Sequence, residues 1–271
     1  MPPPIKISII TIAYNSAATI AETIESVLSQ AYENLEYIII DGASTDGTQS
    51  IVERYRQHLS YFVSEPDRGI SHAFNKGIEQ ATGQIIGILN ADDVMLPNTL
   101  QRLNEAYEPG IDVYRANLLI WNDQTNLTLR EVPTLRFSRI PIWGHVCHQG
   151  VFVTPEAYAR WGGYKEECRY AMDLDLLLRF QRNGARMKHC DFEVAKFRIG
   201  GVTSHDFGRK SEEYRQLLPR NGGTASEAFL FYWGLWLQDR VKRLLDHFGP
   251  DLKRIIRHGW RNYWPFHHHQ P

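Results

Sequence analysis

Side chains able to do chemistry gather at a few points of this 271-residue chain, and the densest is Asn90-Ala91-Asp92-Asp93. Two adjacent carboxylates directly after the short apolar run 85–89 are costly at the exit of a buried strand unless a cation or a set of donors meets them. Hard divalent ions are bound in this way, by one or two carboxylates and the oxygens of a substrate diphosphate. An Asp here equally suits a solvated turn or a cap for the helix expected from about Pro97. Three more polar clusters accompany the pair: Thr11-Ile12-Ala13-Tyr14-Asn15, Asp41, and Glu65-Pro66-Asp67-Arg68-Gly69. Asp41 can accept a hydrogen bond from the ring N–H of a base, and Tyr14 can stack on that base. A turn-forming Asp and a Tyr at the rim of a sheet are the ordinary alternatives. Asp67 can likewise pair with Arg68 or cap a helix starting near Gly69. Further on, Asp173 falls in the first turn of a helix, where the dipole favours a carboxylate and where a capping Asp is also at home. His148, in the segment 144–150, either lines a site or is structural.

The elements that must position these groups alternate strand and helix. Residues 5–12 and 35–40 are β-branched and apolar enough to be buried strands, 61–63 is a short third strand, and 85–89 is a fourth. Between them Ile20, Ile24, Val27 and Leu28 share one helical face, as do Ile51, Val52, Tyr55 and Leu59, and as do Ile70, Ala73, Phe74, Gly77, Ile78 and Ala81. Asn15 and Ser16 read as the start of the first helix, and 42–47 as turn chemistry. Such alternation predicts a parallel sheet covered on both faces, with ligands outside the carboxyl ends of its strands. The four polar clusters stand at those ends and are expected to face one crevice. Beyond them, 112–120 and 127–132 read as strands of an antiparallel addition joined by a turn near Asn122-Asp123, and 151–154 as another short strand. Leu174, Leu177 and Leu178 give the helix of Asp173 an apolar face, and Asp175 points elsewhere around it, into structure.

Composition narrows the class. The formal net charge of −1 argues against a nucleic-acid partner. Cys147, Cys168 and Cys190 have no metal-ligand spacing and cannot all pair, which suits a reducing cytoplasm. The first residues lack the charged start and apolar core of a signal peptide, and the longest apolar run, 228–237, is too short to span a bilayer.

The stretches IKISIITIAYNSAATIAETIESVLSQ, LEYIIIDGASTDGT, SEPDRGISHAFNKGIEQATGQIIGILNADD, HQGVF and AMDLDLLLRF, in this order over roughly residues 5–203, resemble the family 2 glycosyltransferases of GT-A fold. The resemblance implies a Rossmann-like, mainly parallel sheet flanked by helices with a small antiparallel addition. It implies a catalytic domain over 1–205, with a nucleotide-binding half at about 5–95 and an acceptor-side half at about 96–205, and a helical C-terminal extension over 206–271. The implied reaction is inverting transfer of one sugar from a nucleoside diphosphate sugar, a UDP-sugar by first expectation, to a hydroxyl of a saccharide or lipid-linked saccharide. By position Asp41 would hold the base, with Thr11, Ala13, Tyr14, Asn15 and Asp67 around the nucleotide. Asn90 and Asp92 stand at the outer places of the D-x-D motif: Asp92 would ligate Mn²⁺ or Mg²⁺, with Asp93 beside it. The family often has Asp where this chain has Asn90, which can still hydrogen-bond a ribose. His148 matches a His that lines the site, and Asp173 matches the base that takes the acceptor proton. The Gln-x-x-Arg-Trp mark of processive synthases is absent from the sequence, so single transfer is expected rather than polymerisation. His205 could reach the pyrophosphate, though a surface loop His is the plainer reading.

The tail mixes aromatic and basic residues: Phe229, Tyr232, Trp233, Trp236 and Leu237, then Arg240, Lys242 and Arg243, and onward to Trp264. That mixture suits the surface of an anionic membrane, or packing on the catalytic domain or another subunit. The expected location is the cytoplasm, with peripheral contact to the inner membrane face through this tail. Other classes fit less well. A dinucleotide oxidoreductase needs G-x-G-x-x-G after the first strand, where this chain has Thr11 to Ser16, and a nucleotidyltransferase needs an early glycine-rich basic loop. A non-catalytic sugar-nucleotide binder would keep Asp41 and Asp92 but be indifferent to Asp173.

Overall fold

The computed structural model describes residues 4–122, 127–133, 147–198 and 207–222, together with most positions from 224 to 240. Strand β1 (Ile7–Ala13) is buried at six of its seven positions, as a strand covered on both faces must be. It pairs in parallel with β2 (Leu35–Asp41) on one side and β4 (Ile85–Asn90) on the other, and β2 carries β3 (Tyr61–Ser64). The crossovers are α1 (Ile20–Leu28), α2 (Thr48–Glu53) and α3 (Ile70–Gln80). Ile20, Ile24 and Val27 turn into the core from α1, and Ala73, Phe74 and Gly77 from α3. Gly77 sets how close α3 lies on the sheet, because a Cβ there would stand 2.4 Å from Ile10 Cγ2. Alternation along the strands divides the core in two, with Ile7, Ile9 and Ile39 in one cluster and Ile10, Ile38 and Ile40 in the other.

At the amino ends of these strands lies a buried clasp. Glu36 accepts hydrogen bonds from Lys6 Nζ at 2.5 Å, Ser8 Oγ at 2.6 Å, Thr82 N at 2.7 Å and Thr82 Oγ1 at 2.7 Å. Burial alone would raise this carboxyl, but the four donors outweigh it and bring it down to about 2.

The second half adds β5 (Val94–Met95), α4 (Thr99–Ala106), β6 (Val113–Asn122), β7 (Leu127–Glu131), β8 (Val151–Val153), α5 (Pro155–Trp161), α6 (Met172–Arg182), β9 (Met187–Arg198) and α7 (Phe207–Arg220). All the strands join one sheet in the order β3-β2-β1-β4-β8-β6-β9-β5, with β7 on β6. The antiparallel addition foreseen in the sequence is therefore threaded into the main sheet. β8 runs antiparallel to both β4 and β6, while β9 runs parallel to β6. β9 itself was not foreseen. Its buried Cys190, Phe192 and Val194 alternate with polar residues, but the register against β6 shifts at residues 116–118, and the pattern is weak beside the apolar runs. The first helix begins later than Asn15 and Ser16 suggest. Asn15 has a left-handed φ of 49°, and a turn in which Thr19 N donates to Ser16 O intervenes before Ile20.

α7 packs on α6 through Leu217, which joins Ala171 and Leu174 in a small apolar cluster. Beyond it, Phe229, Trp233 and Leu237 are exposed at intervals of four residues. The turn at Asn122-Asp123, the boundary at 205/206, Gly200, Gly201 and His205 fall in or beside stretches outside the described residues.

Candidate active site

The carboxyl ends of β1, β2, β3 and β4 bring the sequence-predicted residues together. In register, Ala13 lies beside Asp41, Asp41 beside Ser64, and Ile12 beside Asn90. On the β2 side, Tyr14 is 67% exposed at the rim. Gly42 lies between Tyr14 and Asp67, since a Cβ there would be 2.6 Å from Asp67 Oδ2 and 3.3 Å from Tyr14 Cδ2. Asp67 Oδ1 accepts from Gly69 N at 2.8 Å, which fixes the start of α3. Asp41 has no exposed area. Its Oδ2 accepts from Ser44 N and Ser64 Oγ at 2.9 and 2.6 Å, and its Oδ1 from Ser44 Oγ at 2.5 Å. Oδ1 keeps a second lone pair, so a base N–H can be accepted there only if the turn over residues 42–46 moves aside. Asn15 braces that turn: its N donates to Ser44 Oγ and its Oδ1 accepts from Thr45 N. Thr11 is fully buried with its Oγ1 3.0 Å from Tyr37 Oη, which leaves its side chain to the scaffold.

At the end of β4 the two carboxylates separate in role. Asp93 is fully buried: Gln149 Nε2 donates to Oδ2 at 2.6 Å, Arg198 N donates to Oδ1 at 3.0 Å, and Thr23 Oγ1 donates to its main-chain oxygen. Burial, and then the Asp92 charge, push the Asp93 carboxyl up to about 7 against the pull of Gln149 and the Arg198 amide. Its carboxylate thus ties β9 and the turn at 148–150 to the tip of β4, and its main-chain oxygen ties α1 there. Asp92 is half-buried, and burial raises its carboxyl too, with Arg198 and His148 opposing. Among the described residues no side chain donates to it. A desolvated carboxylate without such a donor is the kind of group a divalent cation stabilises. No cluster of three ligating side chains occurs among the described residues, so the remaining ligands of such a cation would be diphosphate and water oxygens. The donor set fits Mn²⁺ or Mg²⁺ on those terms.

His148 links the tip of β4 to the head of α6. Its Nε2 is 3.1 Å from Asn90 Oδ1, its Nδ1–H donates to Asp173 Oδ2 at 3.0 Å, and its main-chain N donates to the same oxygen at 3.0 Å. The ring is buried against Phe74, centroids 4.8 Å apart. Burial disfavours its charge, but Asp173 and then Asp93 and Asp92 outweigh that, and its pKa is raised. Asp173 Oδ1, by contrast, is buried and has no hydrogen-bond partner among the described residues. Asp175 faces away as expected, 2% exposed, with Arg179 and Lys165 at 3.3 and 3.5 Å.

Gln149 and Arg198 are site residues that the sequence did not single out. Gln149 carried only its adjacency to His148, and Arg198 only its place at the head of a Gly-Gly segment. Next to the head of α6 lies a cavity of about 550 Å³, lined by Arg68, Ser71, His72, Glu166 and Tyr170 among others.

A parallel sheet with acidic strand ends, continued by antiparallel strands and a helix that presents a carboxylate, is the architecture of a GT-A glycosyltransferase. The family model described as "Glycosyl transferase family 2" matches residues 8–146. EpsE of Bacillus subtilis, a protein named as a glycosyltransferase, is 31% identical over 218 residues, 77% of each chain. An uncharacterized glycosyltransferase of Rickettsia typhi is 31% identical over 226 residues, 78% of this chain and 70% of that one. The chain belongs to glycosyl transferase family 2, and its activity is that of a glycosyltransferase in glycan biosynthesis. Two solved structures share its fold. TarS 1-349 of S. aureus, in complex with UDP-GlcNAc, has a TM-score of 0.64 at 19% identity over 84% of this chain and 70% of its own. The mannosyltransferase PcManGT of Pyrobaculum calidifontis, in complex with GDP-Man and Mn²⁺, has a TM-score of 0.63 at 18% identity over 97% and 82%.

Proposed function

We propose that the protein transfers one sugar, with inversion, from a nucleoside diphosphate sugar to a hydroxyl of a saccharide or lipid-linked saccharide, and that Asp173 is the base. The observation that carries this is the asymmetry of the Asp173 carboxylate: Oδ2 is pinned by two donors from His148 while Oδ1 has none among the described residues. Asp173 Oδ1 takes the proton of the acceptor hydroxyl as the hydroxyl oxygen bonds the anomeric carbon. The bond from that carbon to the diphosphate breaks on the opposite side. Tyr14, Asp41 and Asp67, with the Ala13 and Thr11 main chain, receive the nucleoside, Asn15 shapes the turn over it, and Asn90 meets the ribose. A Mn²⁺ or Mg²⁺ ion held by Asp92 would offset the charge of the departing diphosphate. The UDP and GDP donors of the structural neighbours support a nucleotide-sugar donor. The cavity beside α6, with Arg68 and Glu166 opposed in it and Tyr170 on its wall, suits a hydroxyl-rich neutral ligand better than a polyanion.

The catalytic unit is taken as 1–205, followed by the tail. No helix among the described residues is long and apolar enough to cross a membrane. The exposed stripe of Phe229, Trp233 and Leu237 favours peripheral contact with an anionic bilayer, where a lipid-linked acceptor would be met. Flotation with anionic liposomes at low salt tests it, and a protein left unbound returns the tail to packing.

Asp173→Asn tests the base. Transfer should fall by at least about 10²-fold with nucleotide affinity unchanged. Asp175→Asn serves as the control, expected to alter stability more than the chemical step. Undiminished transfer by Asp173→Asn would make that residue a helix cap, as in a protein that only binds the sugar nucleotide.

A further inference from the structure

The residues just ahead of α6 carry an interaction that the transfer chemistry does not require. Three successive backbone amides, those of Arg169, Tyr170 and Ala171, converge on the side chain of Glu213 in α7. Arg169 N stands 2.9 and 3.0 Å from the two carboxylate oxygens, and Tyr170 N and Ala171 N donate to Oε2 at 2.7 and 3.0 Å. Successive N–H groups turned inward make an anion-binding concavity, and a carboxylate held by several charge-assisted bonds is among the stronger fixed points a protein offers. Here the anion comes from the chain itself. The grip falls two residues before Asp173, where the main chain enters α6 through Asp175 N donating to Ala171 O at 2.8 Å. α7 is also held to α6 beyond that segment, by Leu217 against Leu174 and by Arg182 Nη1 donating to Arg220 O.

We propose that Glu213 is a positioning residue for the transfer reaction: by gathering the amides of residues 169–171 it sets the head of α6 so that Asp173 meets His148 with one oxygen and leaves the other free. This rests on the reading of Asp173 as base, but the position of Asp173 can be tested without it. Displacing a reacting group by about 1 Å can cost a rate about 10²-fold, so a modest shift of the α6 head is enough to be seen. Gln at 213 keeps one acceptor oxygen but loses the charge that strengthens these bonds and turns an NH₂ group toward Arg169 N, so its hold on the three amides is weaker.

The experiment reads the ring N–H resonances of His148 in the ¹⁵N-labelled full-length protein without nucleotide, assigned by their absence in His148→Gln. Wild type should show a slowly exchanging Nδ1–H held by Asp173, and Asp173→Asn gives its perturbed reference. Glu213→Gln should move or broaden this signal toward that reference, while Glu212→Gln, whose native partner is Arg215 on the same helix, should leave it unchanged. A brace that only stabilises the fold would lower the melting temperature and leave His148 as in wild type, and that result overturns the proposal. If Glu213→Gln does not fold, Glu213→Asp, with the charge on a shorter stem, is read in the same way: a wild-type His148 signal overturns, a shifted one supports. With UDP-GlcNAc and GDP-mannose as donor probes, Glu213→Gln should lower kcat at least 10-fold at unchanged donor KM and add nothing in the Asp173→Asn background. Full transfer by Asp173→Asn would sink the base reading alone. An altered His148 signal in Glu213→Gln would then still stand.

Discussion

Glu36→Gln is a sharp test of how the nucleotide-binding half is held together. Glu36 is 6% exposed and takes donors from three residues on two segments, Lys6 and Ser8 at the start of β1 and Thr82 after α3, at the end of the sheet away from the crevice. Its carboxyl stands at about 2 against an ordinary 4.5. At about 1.4 kcal/mol per unit, the clasp contributes roughly 3 kcal/mol at neutral pH. The folded-state value is depressed, so this stability is complete above about pH 4.5 and is lost as pH falls toward 2. Glutamine keeps one acceptor oxygen but no charge, so urea unfolding at pH 7 should show a loss of roughly 2–3 kcal/mol. The gap between the two proteins should close as pH drops from about 4.5 toward 2, while nucleotide affinity stays at the wild-type value. A difference below about 0.5 kcal/mol at pH 7, or one that does not vary with pH, would refute the assignment of the depressed carboxyl to this clasp.

Further outcomes are expected from the site and its frame. Asp92→Asn should abolish metal-dependent nucleotide stabilisation, read as the loss of the Mn²⁺-dependent rise in melting temperature with UDP or GDP, while the fold persists. His148→Ala should lower transfer by about 10-fold or more with little change in nucleotide affinity, because it removes the ring donor to Asp173 Oδ2 and leaves that oxygen only the main-chain N of residue 148; equal transfer would leave His148 as packing against Phe74. Gly77→Ala should destabilise the fold by about 1–3 kcal/mol in denaturant titration, since the added methyl group must push α3 away from Ile10.

The parallel half was legible in the sequence because its strands are continuous apolar runs and its helices keep a 3.6-residue period. Burial on both faces leaves little else for those residues to be. The strand-end rule then gathered Asp41, Asp67, Asn90 and Asp92 correctly at one edge. What the sequence could not separate was the use of each side chain. Asp92 and Asp93 are neighbours of one type, yet one is half-buried without a side-chain donor among the described residues and the other is sealed by Gln149 and Arg198. That difference depends on β9, which arrives from about a hundred residues away. Ser44 and Ser64, which close over Asp41, were equally silent, since a serine in a turn or at a strand end has many uses. Glu213 carries no signal in the sequence, because the amides of residues 169–171 that point at it lie more than forty residues away in the chain.

The bond from the Arg198 amide to Asp93 spans 105 residues of chain. At synthesis rates of about 5–20 residues per second, some 5–20 s pass between the emergence of its two ends. During that interval β1 to β4 can already pair through local crossovers, while Asp92 and Asp93 sit together at a strand tip that still lacks its lock. Two like charges next to each other, one destined for complete burial, oppose closure until β9 arrives to supply a donor. The last strand of the sheet is thus also the step that completes the tip of β4, so a chain interrupted before residue 198 would keep the nucleotide half of the sheet and lose the fixed geometry of its acidic edge.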